Sequence, residues 1–332
     1  MEAIQKYPIR LAPCSTDAIW GGRRLISRYG KVADGANLAE SWELSVRERE
    51  KSVITNGCYA DSPLGEYVAH APVEIIGTNV PAGAPFPLLI KFIDAADRLS
   101  VQVHPDNGYA AAHESESGKT ELWVILDADP GAELIYGLAG NCTVSDVSAA
   151  MAEGRIMDVL NRVPVHPGDV FFIPPGTVHA IGGGITLAEI QENSDLTYRV
   201  YDYDRPGLDG KPRPLHQEAA LAVMKNRTPD EISTIRYARP HPTIDGELLA
   251  SCDPFTVLRI TVDEAHPFTY TVGGGSFVSL LILSSDGASL ITDGTDDRLC
   301  GGESWFLPAG LGTFTVAGKA VLLLTMLSAP AN

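Results

Sequence analysis

The sequence predicts a mainly β protein, folded as two related β-barrels or sandwiches with a small helical insertion. Three observations predict it. The 32 Gly and 23 Pro punctuate many short apolar runs, a pattern of strands and turns rather than of a helical bundle. Polar residues alternate with Val in Gln102-Val103-His104, so Gln102 and His104 share one face of a strand. Finally, the chain echoes itself. Gly168-Asp169-Val170-Phe171-Phe172-Ile173-Pro174-Pro175-Gly176 resembles Gly302-Glu303-Ser304-Trp305-Phe306-Leu307-Pro308-Ala309-Gly310. Thr313 of the second copy stands where His179 stands in the first.

Residues 1–100 read as short strands and turns. Residues 52–55 end at Asn56-Gly57, a hairpin-type turn signal. Residues 87–94 are a mostly apolar core strand interrupted by Lys91, which on its own reads as a lysine snorkelling at a strand edge. Residues 121–126 form another strand, expected to pair with 132–137 across the turn Asp127-Ala128-Asp129-Pro130-Gly131. A helix is expected over 144–162, capped by Thr143 or Ser145, with Val147, Met151, Val159 and Leu160 on its apolar face. Residues 168–181 are strand, Pro-Gly turn and strand. A second helix is expected near 215–225, and 236–242 is the best linker. From about 248 onward the chain is strand and turn. The expected division is a metal-binding domain over 1–238 and a degenerate second domain, without metal ligands, over 239–332.

Composition narrows the function. A net charge of -17, from 25 Lys+Arg against 42 Asp+Glu, argues against nucleic acid, whose phosphates need a basic surface. A small anionic ligand remains compatible if Arg and Lys cluster locally against the global field. The first residues carry no apolar signal core. The longest apolar run, at 320–327, is too short to span a bilayer. Five scattered Cys with no CxxC pair read as reduced thiols of a cytoplasmic protein.

A polar pair on the inner face of an apolar strand is costly unless something satisfies it, and a bound cation would do so. The candidate ligands are Gln102, His104, Glu121 and His179. Imidazole and carboxylate suit Zn2+ and other divalent first-row ions. Taken singly, each His reads as a satisfied core or surface group, and Glu121 as a solvated strand end. The joint pattern, with both His beside Pro-bearing turns, is stronger. His70, His113, His166, His216, His241 and His266 have no comparable setting.

Gly168-x5-Pro174-x-Gly176-x2-His179 resembles the second cupin motif, with Gly183 where that motif usually has Asn. Gln102-x-His104 replaces the His-x-His of the first motif, and Glu121 follows after a long insertion. The altered pattern resembles class I mannose-6-phosphate isomerases of the short bacterial kind. So do Leu99-Ser100-Val101-Gln102-Val103-His104-Pro105-Asp106-Asn107, Gly118-Lys119-Thr120-Glu121, and the run from Gln191 through Asp195 and Arg199 to Arg205. Ile19-Trp20-Gly21-Gly22 and Glu40-Ser41-Trp42-Glu43 also fit.

The resemblance implies two cupin-type jelly-roll β-barrels and one Zn2+ per chain on Gln102, His104, Glu121 and His179. It implies that Arg199 is catalytic and that Lys91, Lys119 and Asp195 occupy active-site positions. The implied reaction interconverts mannose 6-phosphate and fructose 6-phosphate through an enediolate. Arg199 offers forked donors to enediolate or phosphate oxygens, Ser100 a hydroxyl to phosphate. Lys119, Lys91 and Asp195 remain alternative proton carriers. Monomer and homodimer are equally compatible with the sequence. The competing readings are a non-catalytic sugar-binding or regulatory cupin and a metal oxygenase, whose sites usually present more His.

Overall fold

A strand shielded on both faces needs apolar residues at nearly every position. Leu88–Ala95 and Ile185–Glu192 meet that demand and are buried along their whole length. They lie side by side inside a six-stranded sheet of order Val170–Ile173, Glu121–Ala128, Ile185–Glu192, Leu88–Ala95, Glu40–Leu44, Cys14–Thr16. A five-stranded sheet runs Tyr198–Tyr201, Val101–Val103, His179–Ala180, Glu133–Leu138, Leu160–Pro164. A nine-stranded sheet collects the C-terminal strands, including the long Val278–Thr292 and Gly312–Met326. The pairings are antiparallel. The structure, a computed structural model, describes residues 4–330 except 34, 208, 209 and 242. The mainly β expectation holds.

The two-residue period of a strand sorts the six-stranded sheet into two faces. Leu88, Ile90, Phe92, Leu122, Val124, Ala188 and Ile190 pack with Val257, Leu281, Phe306 and Leu323 of the nine-stranded sheet. The alternate residues Ile93, Ala95, Trp123, Ile125, Ile185 and Leu187 pack with Leu134 and Tyr136 of the five-stranded sheet. Fully burying one such side chain stabilises by about 1.5–3 kcal/mol. On that second face, Lys91, Glu121, Glu189 and Gln191 share the alternate positions and are also buried. Buried charge costs free energy unless paired, so these four residues mark a site rather than a core.

Several local expectations change. Residues 121–126 and 132–137 do form strands, but they do not pair. Both edges of Glu121–Ala128 are taken by Val170–Ile173 and Ile185–Glu192. The 129–131 turn therefore carries the chain into the five-stranded sheet, where Glu133–Leu138 pairs with Leu160–Pro164 and His179–Ala180. The expected long helix is Val144–Ala152 only. Its Thr143 cap holds, in a reciprocal capping box with Asp146. Gly154, at φ +69°, ends it, and Leu160 lies in a strand rather than on the helix. Asn56-Gly57 opens a single 3-10 turn, Gly57–Tyr59, and the preceding Val53–Ile54 pairs with Ile9–Ala12.

The second helix is Gln217–Val223. Proline opens the helix Pro229–Arg236, in the stretch just before the expected linker; Pro242 of that linker lies outside the described residues. Ile9–Ala12 pairs with Ser304–Leu307, so the sheet of C-terminal strands takes strands from the start of the chain. The sequence echo is also a backbone echo. Gly168 and Gly302 have φ of +96° and +87°, and Gly176 and Gly310 of +88° and +71°. Thr313, the counterpart of His179, is exposed and bonds Thr271 across the strands at 2.8 Å.

Candidate metal centre and active site

Register assembles the site from two facing sheets. In the five-stranded sheet, Arg199, Gln102, His179 and Tyr136 lie side by side. In the six-stranded sheet, Trp42, Lys91, Glu189 and Trp123 form one row, and Gln191 with Glu121 the next. The sheets meet at Glu121. His104 Nε2 stands 3.2 Å from Glu121 Oε1, and His179 Nε2 stands 3.6 Å from Glu121 Oε2. One ligand atom from each of the three lies within 4.8 Å of the others. Glu121 is therefore no solvated strand end; it, His104 and His179 are buried to within 1%.

Both imidazoles are held from behind. His104 Nδ1 lies 2.7 Å from the Leu196 carbonyl, and His179 Nδ1 lies 2.8 Å from that of Thr177. A carbonyl only accepts, so each Nδ1 carries the hydrogen and each Nε2 turns a lone pair toward Glu121. Burial lowers the pKa of His104, helped by the Lys119 charge, and pushes His179 down to about 4. Both are neutral at pH 7, the form that ligates metal. Burial works to raise Glu121, but the Lys119 charge outweighs it and holds the carboxylate well below its ordinary range.

Neither Nε2, and neither Glu121 oxygen, makes a directed hydrogen bond. Lys119 Nζ stands 2.9 Å from Glu121 Oε1 as an ion pair. Buried polar atoms are rarely left without a partner. Two neutral imidazole nitrogens and one carboxylate converging on one point fit a divalent first-row cation such as Zn2+.

The other expected residues distribute as follows. Gln102 is half-buried beside His179 in register. Ser100 is buried just before that strand. Lys91 is 3% exposed, not a snorkelling edge lysine; its Nζ lies 4.0 Å from the Trp42 ring centre and 3.5 Å from Glu40 Oε2. Lys119 is buried, not a solvated loop residue. Burial opposes its charge, but Glu121 and then Glu189 raise its pKa above the ordinary lysine value. Those two carboxylates favour its charged form. Arg199 is half-buried; its Nη1 donates to the Pro214 carbonyl at 2.9 Å and its Nε has no partner. Asp195 is exposed and its backbone N–H donates to Glu116. Among the described residues it forms no ion pair with Arg199.

Sequence reasoning missed Glu189. It is 3% exposed and accepts a hydrogen bond from Trp123 Nε1 at 2.9 Å. Burial, then the charge of Glu121, pushes its pKa up to about 7. The signal was available: Glu189 and Gln191 alternate with Ala188 and Ile190 as Gln102 and His104 alternate with Val103.

Glu189 has a consequence for stability. Its folded value, about 7, lies above the ordinary 4.5. Its contribution to the fold is fully present below about pH 4.5 and is lost as pH rises through about 7. In chelator-treated protein, Glu189→Gln should therefore match wild type in urea unfolding at ~pH 5 and exceed it at ~pH 8. A variant less stable than wild type at pH 8 would contradict this.

Facing antiparallel sheets that bury a His-Glu-His cluster define a cupin-like protein able to hold a metal. A family model described as phosphomannose isomerase type I, catalytic domain, matches residues 9–130. The chain is 35% identical over 322 residues to mannose-6-phosphate isomerase ManA of Bacillus subtilis strain 168, covering 96% of this chain and 99% of that one. It is 44% identical over 207 residues to the mannose-6-phosphate isomerase of Streptococcus mutans serotype c, a match that spans 62% of this chain and 64% of that protein. The crystal structure of the mannose 6-phosphate isomerase from Bacillus subtilis superposes with a TM-score of 0.81 at 30% identity, covering 97% and 99% of the two chains. The chain belongs to the type I phosphomannose isomerase family, which are aldose-ketose isomerases.

Proposed function

We propose that this protein interconverts mannose 6-phosphate and fructose 6-phosphate through an enediolate, with one Zn2+ per chain. The observation that carries the metal is the set of four buried ligand atoms on His104, Glu121 and His179 that converge without a directed hydrogen bond. Gln102, beside His179 in register, offers a further oxygen. When bound, zinc supplies Lewis-acid polarisation of the sugar oxygens at C1 and C2.

The chain's own residues supply the rest. The reaction moves a proton between C2 and C1, so a group must accept it and return it. Glu189 suits that role, because a pKa near the working pH favours both steps. Lys119, held charged by Glu121 and Glu189, donates hydrogen bonds to substrate oxygens and holds Glu121 ionised. Arg199 brings a guanidinium that stays protonated and stabilises the negative charge of the enediolate or of the phosphate. Lys91 keeps its ammonium against Trp42 and Glu40, in the same row as Glu189. Asp195 stands at the exposed rim, and Ser100 offers its hydroxyl to phosphate. No helix among the described residues is long and apolar enough to cross a membrane. The free thiols of Cys58, Cys142, Cys252 and Cys300 suit a reducing cytoplasm.

The test is conversion of mannose 6-phosphate to fructose 6-phosphate before and after chelation. Conversion should be lost on complete metal removal and restored by zinc. Full activity without metal would overturn the metal mechanism. Sugar phosphate binding with no turnover in zinc-loaded protein would overturn the isomerase reading.

A further inference from the structure

A second region, whose lining includes none of the metal-capable cluster, carries an unusual charge. A cavity of about 640 Å³ lies against the 174–177 turn and shares no residue with His104, Glu121, His179 or Arg199. Its lining includes Lys225, Arg227 and Arg236 and no Asp or Glu, in a chain whose acids outnumber its bases 42 to 25. Lys225 is paired with Asp106 at 2.8 Å. Among the described residues, neither Arg227 nor Arg236 has a carboxylate within ion-pair distance; Arg227 Nη1 donates to the Pro175 carbonyl at 2.6 Å and Arg236 Nε to that of Leu249. Arg236 also lies 5.2 Å from the centre of the exposed Tyr237 ring.

A built polar group completes the wall. Thr177 lines the cavity and is only 4% exposed, yet its Oγ1 has no hydrogen-bond partner. A buried hydroxyl without a partner, lining one cavity with two guanidinium groups that have no carboxylate within ion-pair distance among the described residues, is the donor set that an anion satisfies. The volume falls within the range of small-molecule sites.

We propose that this cavity is a second ligand site, for a small phosphorylated metabolite. The reaction's own sugar phosphates and a nucleotide share the required chemistry. Binding there does not depend on the isomerase reading. The site does adjoin the metal centre: the Thr177 carbonyl holds His179 Nδ1, and the Lys225 backbone N–H donates to the Gly176 carbonyl at 2.8 Å.

Calorimetric titration of the zinc-loaded 332-residue chain tests this, with inorganic phosphate, fructose 6-phosphate and a nucleoside diphosphate as separate probes. At least one probe should show a binding step that Arg227→Gln weakens about tenfold or more, the loss of one charge-assisted hydrogen bond. Thr177→Val, which removes only the hydroxyl, should weaken the same step by about three- to tenfold. Arg199→Ala should leave that step intact. Whether the sugar phosphate or the nucleotide binds there more tightly than phosphate distinguishes the source. Circular dichroism verifies that all three variants fold. The proposal is overturned if no probe gives a step sensitive to either substitution, or if all binding disappears with Arg199→Ala. A single step that Arg227→Gln abolishes and Arg199→Ala spares would sustain the cavity and count against the isomerase reading.

Discussion

Glu121→Gln is expected to lower zinc affinity by more than the ~10–100-fold that loss of an outer-shell partner costs, and turnover by about a thousandfold or more. Glu121 is the sole carboxylate of the His-Glu-His cluster. Two imidazoles point at it from neighbouring segments of the five-stranded sheet: His179 in one strand, and His104 just after the strand paired with it. Gln keeps the shape but removes the negative charge. His104 and His179, neutral at pH 7, cannot replace it. The substitution also leaves Lys119 without its nearest counter-ion, and removing one partner of a buried pair costs about 3–5 kcal/mol. Zinc content by mass spectrometry and kcat/KM measured on protein shown folded by circular dichroism separate the two effects. Full zinc occupancy with unchanged turnover would remove Glu121 from the metal site.

Arg199→Ala should act differently. Turnover should fall by about 100- to 1000-fold, the loss typical of one preorganised charge-stabilising donor. Zinc content should stay at the wild-type level. Stability should drop by about 1 kcal/mol, because among the described residues the guanidinium makes one hydrogen bond, to the Pro214 carbonyl. The contrast follows from position: Arg199 lies next to Gln102 in register but is not among the residues that converge on Glu121. Arg199→Lys keeps the charge and loses the fork, so it should recover only part of the rate. Parallel losses of folding and activity would make Arg199 structural.

These expectations also show what the sequence made legible. His104 and His179 stood beside proline-bearing turns, and Gln102-x-His104 displayed the strand period directly. The echo at Gly168 and Gly302 was visible in residues and recurs in the backbone. Strand partners were less legible. The 127–131 turn reads as a local hairpin, and only the occupied edges of Glu121–Ala128 show why the chain crosses to the other sheet. The sequence extends this helix too far, because Gly154 interrupts an otherwise continuous apolar pattern. Glu189 was overlooked for a physical reason. Its neighbours are set by pairing with Lys91 and Trp123, far away in sequence, and only that pairing turns a single acidic residue into a buried carboxylate with a pKa near 7. The carboxylates around Lys119 were likewise not visible locally.

The most direct test of the account is a zinc-edge anomalous-scattering map of the crystallised protein, with metal content measured on the same preparation. One peak per chain is expected, about 2.0–2.2 Å from His104 Nε2, His179 Nε2 and a Glu121 oxygen, with Gln102 as the nearest further oxygen donor. A stoichiometric peak bound by other residues, or zinc-saturated crystals with no peak at Glu121, would contradict it.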